Sequence, residues 1–364
     1  MVYHVIGIMS GSSLDGLDIA FVELAEVRGK WEYTIQAADC LAYEAEWVEQ
    51  LSGATALPAG EYLLLHSRYG HYIGEKIKQF IAQHGLEHKV HFIASHGHTT
   101  FHMPAQKMTA QLGEGAAIAA VTGLPVISDL RAMDVALGGQ GAPIVPVGEQ
   151  LLLPGYQYWL NLGGIANVSA NLESGFTAFD ICPANRVLNA LAGELGRAYD
   201  ENGSLAAGGI TDKHLLAALN ELPYYTLPWP KSLANDFGTD TVLPLIKNTR
   251  ISIQGKLNTY TQHIAVQVAN AVAQLQKQQA AAEGEQKMLI TGGGAFNGFL
   301  VKQIQEQLQP YNVTVVVPDA QTVNYKEALI MALIGTLRWR QEPNVLSSVT
   351  GAQRDSVGGA LWQS

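Results

Sequence analysis

Two short turns made of small residues, each set between apolar runs, constrain this chain more than any other feature. In the first, Val5–Met9 reads as a strand, Ser10–Gly16 (SGSSLDG) as a turn and Leu17–Leu24 as a second strand. In the other half, Tyr158–Leu162 reads as a strand, Gly163–Ser169 (GGIANVS) follows, and another apolar run comes after it. A Gly/Ser/Asp segment between two apolar runs is a hairpin signal. One such hairpin is weak evidence; two, one in each half, suggest two related domains that each present a turn. Glycine also stands at 37 of 364 residues, above the usual ~7%. Glycine turns bring backbone N–H groups close to a ligand, which is what a phosphate needs.

The rest of the chain alternates. Residues 61–84 have helical spacing, Val90–Ser95 reads as a strand that ends in the loop HGHTTFHMP, and Gly115–Val121 as a small-residue helix before a strand at Pro125–Ser128. Residues 129–146, DLRAMDVALGGQGAPIVP, show no period and read as a long functional loop. Thr177–Asp180 is a further strand, Asn185–Leu195 a helix, and 256–280 the clearest helix, with Ile264, Val268, Val272 and Leu275 on one face. Met288–Thr291 enters Gly292–Gly294, a helix starts near Asn297, Val313–Val317 is a strand, and Tyr325–Arg338 is helical. Strands alternating with helices argue for an α/β fold. The expected division is 1–143 plus 341–364 against 144–340.

Charge and cysteine content narrow the function classes. Lys plus Arg is 22 and Asp plus Glu 32, a net charge of −10, with no basic cluster. Nucleic acid and anionic membrane are therefore poor partners. Cys40 and Cys182 are the two cysteines, too few for a disulfide scaffold or a four-cysteine zinc site. No run of about 18 apolar residues and no leader pattern is visible, so a cytoplasmic location without a membrane span is expected.

Several residues carry chemistry. Three serines, Asp15 and Asp18 in the first turn suit a phosphate with Mg²⁺. ITGGGAFNGFL resembles a nucleotide loop but lacks the G-x-G-x-x-G spacing, and no G-x-x-x-x-G-K-[ST] occurs. Asp180 follows a short strand and reads either as a general base or as a cap for a helix beginning near Pro183. Cys182 reads as a small buried residue. His96, His98 and His102 read as metal ligands or, more simply, as polar substrate contacts or packing. Arg131 suits a carboxylate, or pairs with Asp134. Glu327 reads as a sugar-hydroxyl contact or as a residue favouring a helix N-terminus.

In order along the chain, MSGSSLDGLD, ASHGHTTFHMP, QLGEGAAIA, DLRAMDVALGGQGAPIVP, LNLGGIANVS, AFDICPAN, ITGGGAFN and LSSVTGA resemble the anhydro-N-acetylmuramic acid kinases of the actin-like sugar kinase superfamily, from about residue 5 to 360. The resemblance implies a two-domain actin-like ATPase fold with duplicated mixed β-sheet cores and a central cleft. It implies opening of the 1,6-anhydro ring by water and phosphorylation of O6 from Mg-ATP, giving N-acetylmuramic acid 6-phosphate in cell-wall sugar recycling, by a homodimer. By the same resemblance Gly11, Ser12, Ser13, Leu14, Asp15, Gly16, Leu17 and Asp18 form the first phosphate loop, with Asp15 holding Mg²⁺ through water. Asn161, Gly163 and Gly164 belong to the second, and Gly292, Gly293 and Gly294 line the adenosine. Asp180 is the base. His98, Arg131, Gly139, Gln140, Gly141, Ala142, Pro143, Asn185 and Glu327 contact the anhydro-sugar. The chain departs from the family pattern at Ser12 (Thr is usual), at His98 (Gln is common), at Asp180–Asn185 (DICPAN for DTGPGN) and at Lys231–Asp236 (KSLAND for KSTGRE). These departures leave a second reading: a kinase for a related anhydro-sugar, or a catalytically altered nucleotide-binding protein on the same fold.

Overall fold

The computed structural model describes residues 1–11, 14–173, 175–228, 231–234, 236–278 and 284–363. Ser12 and Ser13 of the first turn and Asn235 of the KSLAND segment lie outside these. The strands, in chain order, are β1 (Val2–Ser10), β2 (Gly16–Val27), β3 (Lys30–Ala42), β4 (Phe92–Met103), β5 (Met108–Leu112), β6 (Val126–Ser128), β7 (Tyr158–Leu162), β8 (Ile165–Leu172), β9 (Gly175–Pro183), β10 (Gln286–Thr291), β11 (Val313–Val316) and β12 (Ala360–Trp362).

They form two mixed sheets. In the first, β3, β2 and β1 are antiparallel neighbours, and β4 and then β6 continue in parallel from β1. In the second, β9, β8 and β7 are antiparallel neighbours, and β10 and then β11 continue in parallel from β7. The order 3-2-1-4-5, with the same senses, therefore occurs twice. The first sheet adds β5 beside β4 and β12 beside β6. The central strands are buried on both faces: Val5, Ile6, Ile93 and Ala94 in one sheet, Trp159, Leu160, Leu289 and Ile290 in the other. Such strands read as near-continuous apolar runs, which is why the sequence shows them.

Two compact units contain these sheets, Met1–Pro154 with Tyr325–Ser364, and Gly155–Asn324. The division falls at 154/155 and 324/325 rather than at 143/144 and 340/341. The physical reason lies inside the first unit. A Cβ at Gly7 would strike the Ala328 carbonyl, and one at Gly148 would strike Ile330, so the helix Ala320–Trp339 packs its later turns directly on β1 and on the helix Pro146–Leu152. Lys326 and Glu149, both buried, pair at 2.8 Å across that contact.

Other differences from the sequence reading are local. The histidine segment is not a loop: β4 runs to Met103, because β5 pairs with its second half. The long loop contains a helical turn, Ala132–Ala136, and a helix begins at Pro146, where proline is tolerated at the first helical position. The helix Ile253–Gln276 carries Ile264, Val268, Val272 and Leu275 on its buried side, but Asn258, Thr259, His263 and Gln267 are buried too. The spacing shows one apolar stripe. The structure buries the polar side as well, because Ala206, Asn220 and Tyr225 supply hydrogen-bond partners there.

Candidate functional site

In the first unit β1 ends at Ser10 and β2 starts at Gly16. Leu14 takes a left-handed φ of 57° and its N–H reaches the Gly11 carbonyl at 3.4 Å. A Cβ at Gly16 would lie 2.7 Å from Cys40 Sγ, so glycine is needed for β2 to pass β3. Leu17 is fully buried, and its side chain belongs to the core of this unit. Asp18 is half-buried, and its carboxyl is pushed up to about 6 by burial and by the negative charges of Asp15 and Glu327. A hydrogen bond with Cys40 opposes that shift and helps push the Cys40 thiol up to about 12. Three carboxylates thus face one another electrostatically, an arrangement that favours a cation or hydroxyl donors.

Beyond this turn the same unit gathers the expected sugar contacts. Arg131 Nε donates to His96 Nε2 at 2.7 Å, and its Nη1 donates to the Gly141 carbonyl at 2.6 Å. No carboxylate lies within 4.0 Å of its guanidinium among the described residues, so its charge is held by neutral partners; burial pulls its pKa down to about 10. The expected Arg131–Asp134 pair is absent. Asp134 is fully buried, and its Oδ2 accepts from the Gly141 N–H at 2.7 Å and its Oδ1 from the Thr350 hydroxyl at 2.7 Å. The Gln140 N–H reaches the Thr350 carbonyl at 2.8 Å. Asp134 and Thr350 therefore shape the loop through Gly139, Gln140 and Gly141. A Cβ at Gly139 would strike the Asp134 carboxylate. Pro143 is exposed, and Ala142, which precedes it through a cis peptide, is half-buried.

Glu327 stands in the third turn of its helix, not at the N-terminus, because the helix begins at Ala320. Half-buried, it has no hydrogen-bond partner among the described residues, while its charge acts on Arg131 and Asp18. The three histidines do not converge. His96 bonds Gly97 O and Arg131, His98 bonds Ser10, and His102 bonds Thr109. No group of three or more His, Cys, Asp or Glu with metal-binding geometry occurs among the described residues, and an Arg N–H occupies the His96 nitrogen a metal would take.

The second unit presents a tighter turn. Gly163 and Gly164 alone separate β7 from β8, and the turn is tied to the next helix by Ala184 and Asn185 N–H groups that reach Gly164 O and Gly163 O. A Cβ at Gly163 would meet nothing closer than the Ile165 carbonyl at 3.5 Å, and Gly164 is exposed, so the turn is accessible to solvent. Asn161 on β7 packs beside Gly292, whose φ of 79° turns the chain out of β10. Asn185 Nδ2 donates to Leu162 O at 2.9 Å; the structure places this residue with Gly293 and Gly294, in a different unit from Arg131 and Glu327. These residues line a concavity of about 540 Å³ with Asn189, Tyr199, Asn202, Phe296, Asn297 and Asn324. Sequence reasoning missed the latter six. They come from four separate segments with no common period, and the half-exposed Phe296 was the one available hint. The volume suits a nucleoside-sized ligand.

Asp180 lies on β9, where a bulge at Ile181 shifts the register against β8. Such a bulge re-aims neighbouring side chains. Its Oδ2 accepts from the Leu233 N–H at 2.9 Å, and its backbone is held by Lys231 O and by the Tyr224 hydroxyl at 2.7 Å. Lys231 Nζ lies 4.5 Å from the Tyr224 ring centroid, not on the carboxylate. Oδ1 has no partner among the described residues, and burial raises the carboxyl above its ordinary range. The capping role is excluded, since the helix starts at Asn185 with no side-chain cap. Cys182 is fully buried and burial raises its thiol pKa, as expected for an inert residue.

A core of five strands used twice, each copy offering a turn at the end of its first strand, defines an actin-like ATPase fold of α/β class. Residues 3–364 match the family described as anhydro-N-acetylmuramic acid kinase, and the chain belongs to that family. It is similar to anhydro-N-acetylmuramic acid kinases of Vibrio parahaemolyticus (31% identity, 98% of this chain and 97% of the relative), Streptomyces coelicolor (34%, 98% and 93%) and Rhodococcus erythropolis (35%, 98% and 94%). No helix among the described residues is long and apolar enough to cross a membrane.

Proposed function

We propose that this chain is an ATP-dependent kinase that opens the 1,6-anhydro ring of anhydro-N-acetylmuramic acid with water and phosphorylates O6, giving N-acetylmuramic acid 6-phosphate. The observation that carries the mechanism is Asp180: one carboxylate oxygen is fixed by a backbone N–H, and among the described residues the other has no partner and no cation neutralises either. That oxygen takes the proton of the water that attacks C1, while the C1–O6 bond breaks. Bound Mg-ATP supplies the γ-phosphoryl group that O6 takes up and the positive charge that offsets the phosphates.

The residues present fit that group. The Gly163–Gly164 turn is accessible to solvent, Asp15, Asp18 and Glu327 bring negative charge together, and the concavity beside Gly293 and Gly294 has nucleoside size. Asp15 would hold Mg²⁺ through water, the turns at 11–18 and 161–164 would bind phosphate through backbone N–H groups, and Phe296 with Asn189 and Asn202 would receive the base and ribose. Arg131 holds the carboxylate of the lactyl side chain, and Glu327 accepts from sugar hydroxyls. The family likeness also supports a homodimer acting in the cytoplasm; a monomer by light scattering at working concentration removes the first of these.

The test is product analysis by mass spectrometry with Mg-ATP and the anhydro-sugar. Asp180→Asn is expected to lower kcat by roughly 10²–10⁴-fold, the usual share of a general base, with ATP affinity unchanged. Normal turnover in that variant ends the assignment of the base. Absence of sugar phosphate from the unaltered protein favours the second reading, an altered nucleotide-binding protein, which the DICPAN segment motivates.

A further inference from the structure

Behind the sugar-facing residues of the first unit runs a buried row of hydroxyls that ends on a histidine. Tyr69, Tyr43, Ser10 and His98 are 0%, 9%, 3% and 6% exposed. The Tyr69 and Tyr43 hydroxyls are hydrogen-bonded, Tyr43 reaches Ser10 Oγ at 2.8 Å, and Ser10 Oγ lies 3.2 Å from His98 Nδ1. Ser10 is also the last residue of β1, immediately before the first turn.

The direction of the row follows from its proton count. Tyr43 O–H donates to Ser10 Oγ, so its one proton is spent, and the Tyr69 hydroxyl, which Ser10 also approaches, can meet Tyr43 only as donor. A buried O–H without an acceptor costs about 1–3 kcal/mol. Tyr69 therefore donates to Tyr43. Each hydroxyl has one proton, so Tyr43 donates to Ser10, and Ser10 donates to His98 Nδ1. An imidazole that accepts at Nδ1 and is neutral carries its hydrogen on Nε2. Burial lowers the His98 pKa, in keeping with the neutral form. His98 Nε2 has no partner among the described residues. The neighbouring His96 is set the other way: Arg131 donates to its Nε2, so its Nδ1–H donates to Gly97 O at 2.8 Å.

We infer that His98 is a specificity-determining residue whose Nε2–H, fixed by the Tyr69–Tyr43–Ser10 row, donates to an acceptor-only oxygen of the sugar, and that Ser10 is its positioning residue. This rests on the kinase reading for the identity of the ligand. Two functions of that sugar accept without donating, the acetamido carbonyl and the lactyl carboxylate. A fixed buried donor refuses a group that can only donate, such as the ammonium of a deacetylated sugar, because both hydrogens then lack acceptors. Glutamine, common at this position in the family, also offers an N–H but can turn its carbonyl forward instead; the row removes that ambiguity.

The first test needs no turnover. ¹⁵N NMR of the imidazoles in the full-length protein, with His98 signals assigned through H98Q, should show a protonated Nε2 at His98 and a protonated Nδ1 at His96. A protonated Nδ1 at His98 overturns the inference, whether or not the protein proves to be a kinase. The second test compares the KM of the full anhydro-sugar, of its deacetylated form and of the form lacking the lactyl group. H98F should raise the KM of the full sugar roughly 10- to 100-fold, the range for a buried hydrogen bond left unmade, whereas H98Q should stay within about threefold. For the analogue that lacks the oxygen being read, H98F should add little further loss, which tells acetamido from lactyl. An unchanged KM in H98F, or an equal loss with all three sugars, overturns the inference.

Ser10→Ala supplies the control for a merely structural role. It should mix the two His98 tautomers in the spectrum and raise the sugar KM several-fold, with the ATP KM within about twofold. A single Nε2–H tautomer retained in that variant overturns the positioning role. If the unaltered protein makes no sugar phosphate, the kinase reading fails, and calorimetric binding of the three sugars replaces KM in the same comparison.

Discussion

The two sheets share strand order and strand senses, yet the polar groups buried around them differ in kind. The first unit buries ions: Lys326 with Glu149 at 2.8 Å, Asp134 on backbone and hydroxyl donors, and Arg131 without a carboxylate partner among the described residues. The second unit buries Asp200, on the Leu205 and Ala206 N–H groups, and Lys256, and also a neutral network: His263 between Asn220 at 2.7 Å and Tyr225 at 2.9 Å, with Gln267 on the same Asn220 oxygen. The turns differ in the same way, one with Asp15 and Asp18 at its end, the other two bare glycines beside a concavity rich in asparagine. One architecture thus carries a buried Lys–Glu pair in one copy and a buried network of neutral amide, imidazole and phenol groups in the other. The topology sets where a turn emerges; the side chains around it set what the turn binds.

The contrast can be broken most severely at the ion pair. Lys326→Met leaves Glu149 charged and buried, its Oε2 already without a partner, and should cost about 3–5 kcal/mol in denaturant unfolding. Asn220→Ala, the matching deletion in the neutral network, should cost about 1–3 kcal/mol. Equal losses would erase the distinction. Next in size, Arg131→Lys gives up a planar guanidinium bonded through both Nε and Nη1, and should raise the sugar KM roughly 10- to 100-fold with little change for ATP. Phe296→Ala should do the reverse more mildly, raising the ATP KM several-fold through a lost stacking face. A variant that moves both constants together would show that the two sets of residues are not separable.

The smallest effect is the pH dependence of Asp18. Its carboxyl is raised from 3.8 to about 6 in the folded protein, so the folded state holds that proton more tightly than the unfolded one between those values. The contribution favours the fold at low pH and is lost as pH rises through that window. Asp18→Asn, which cannot ionise, should therefore gain in Tm relative to the unaltered protein between pH 5 and 7. A constant difference across that range would show that neither burial nor the neighbouring carboxylates raise the Asp18 carboxyl in the folded protein.

Much of this was legible in the sequence because it is local. Both hairpins, the central strands and the helices at 61–84 and near 256–280 follow from apolar period and turn chemistry within a few residues. The ordered motifs point to the family, and Asp180 was visible as a carboxylate at a strand end. Local reading failed where a distant partner decides. Residues 96–103 read as a loop until β5 paired with them, and Arg131 had Asp134, three positions on, as its alternative partner, when it donates to His96 and Gly141 O. The concavity residues Tyr199, Asn202, Phe296 and Asn324 share no spacing that a pattern can detect.

By itself, then, the sequence determined the α/β class, the repetition of its core and the residues able to do the chemistry, since these depend on composition and on contacts between near neighbours. The tertiary structure alone decided the hydrogen-bond partners of His96 and His98, the neutral hydrogen-bond acceptors of Arg131, the elevated Asp18 and, among the described residues, the unpartnered oxygen of Asp180. Hydrogen-bond direction and electrostatic neighbourhood are set by groups brought within a few ångströms from far along the chain, and no spacing in the sequence encodes that approach.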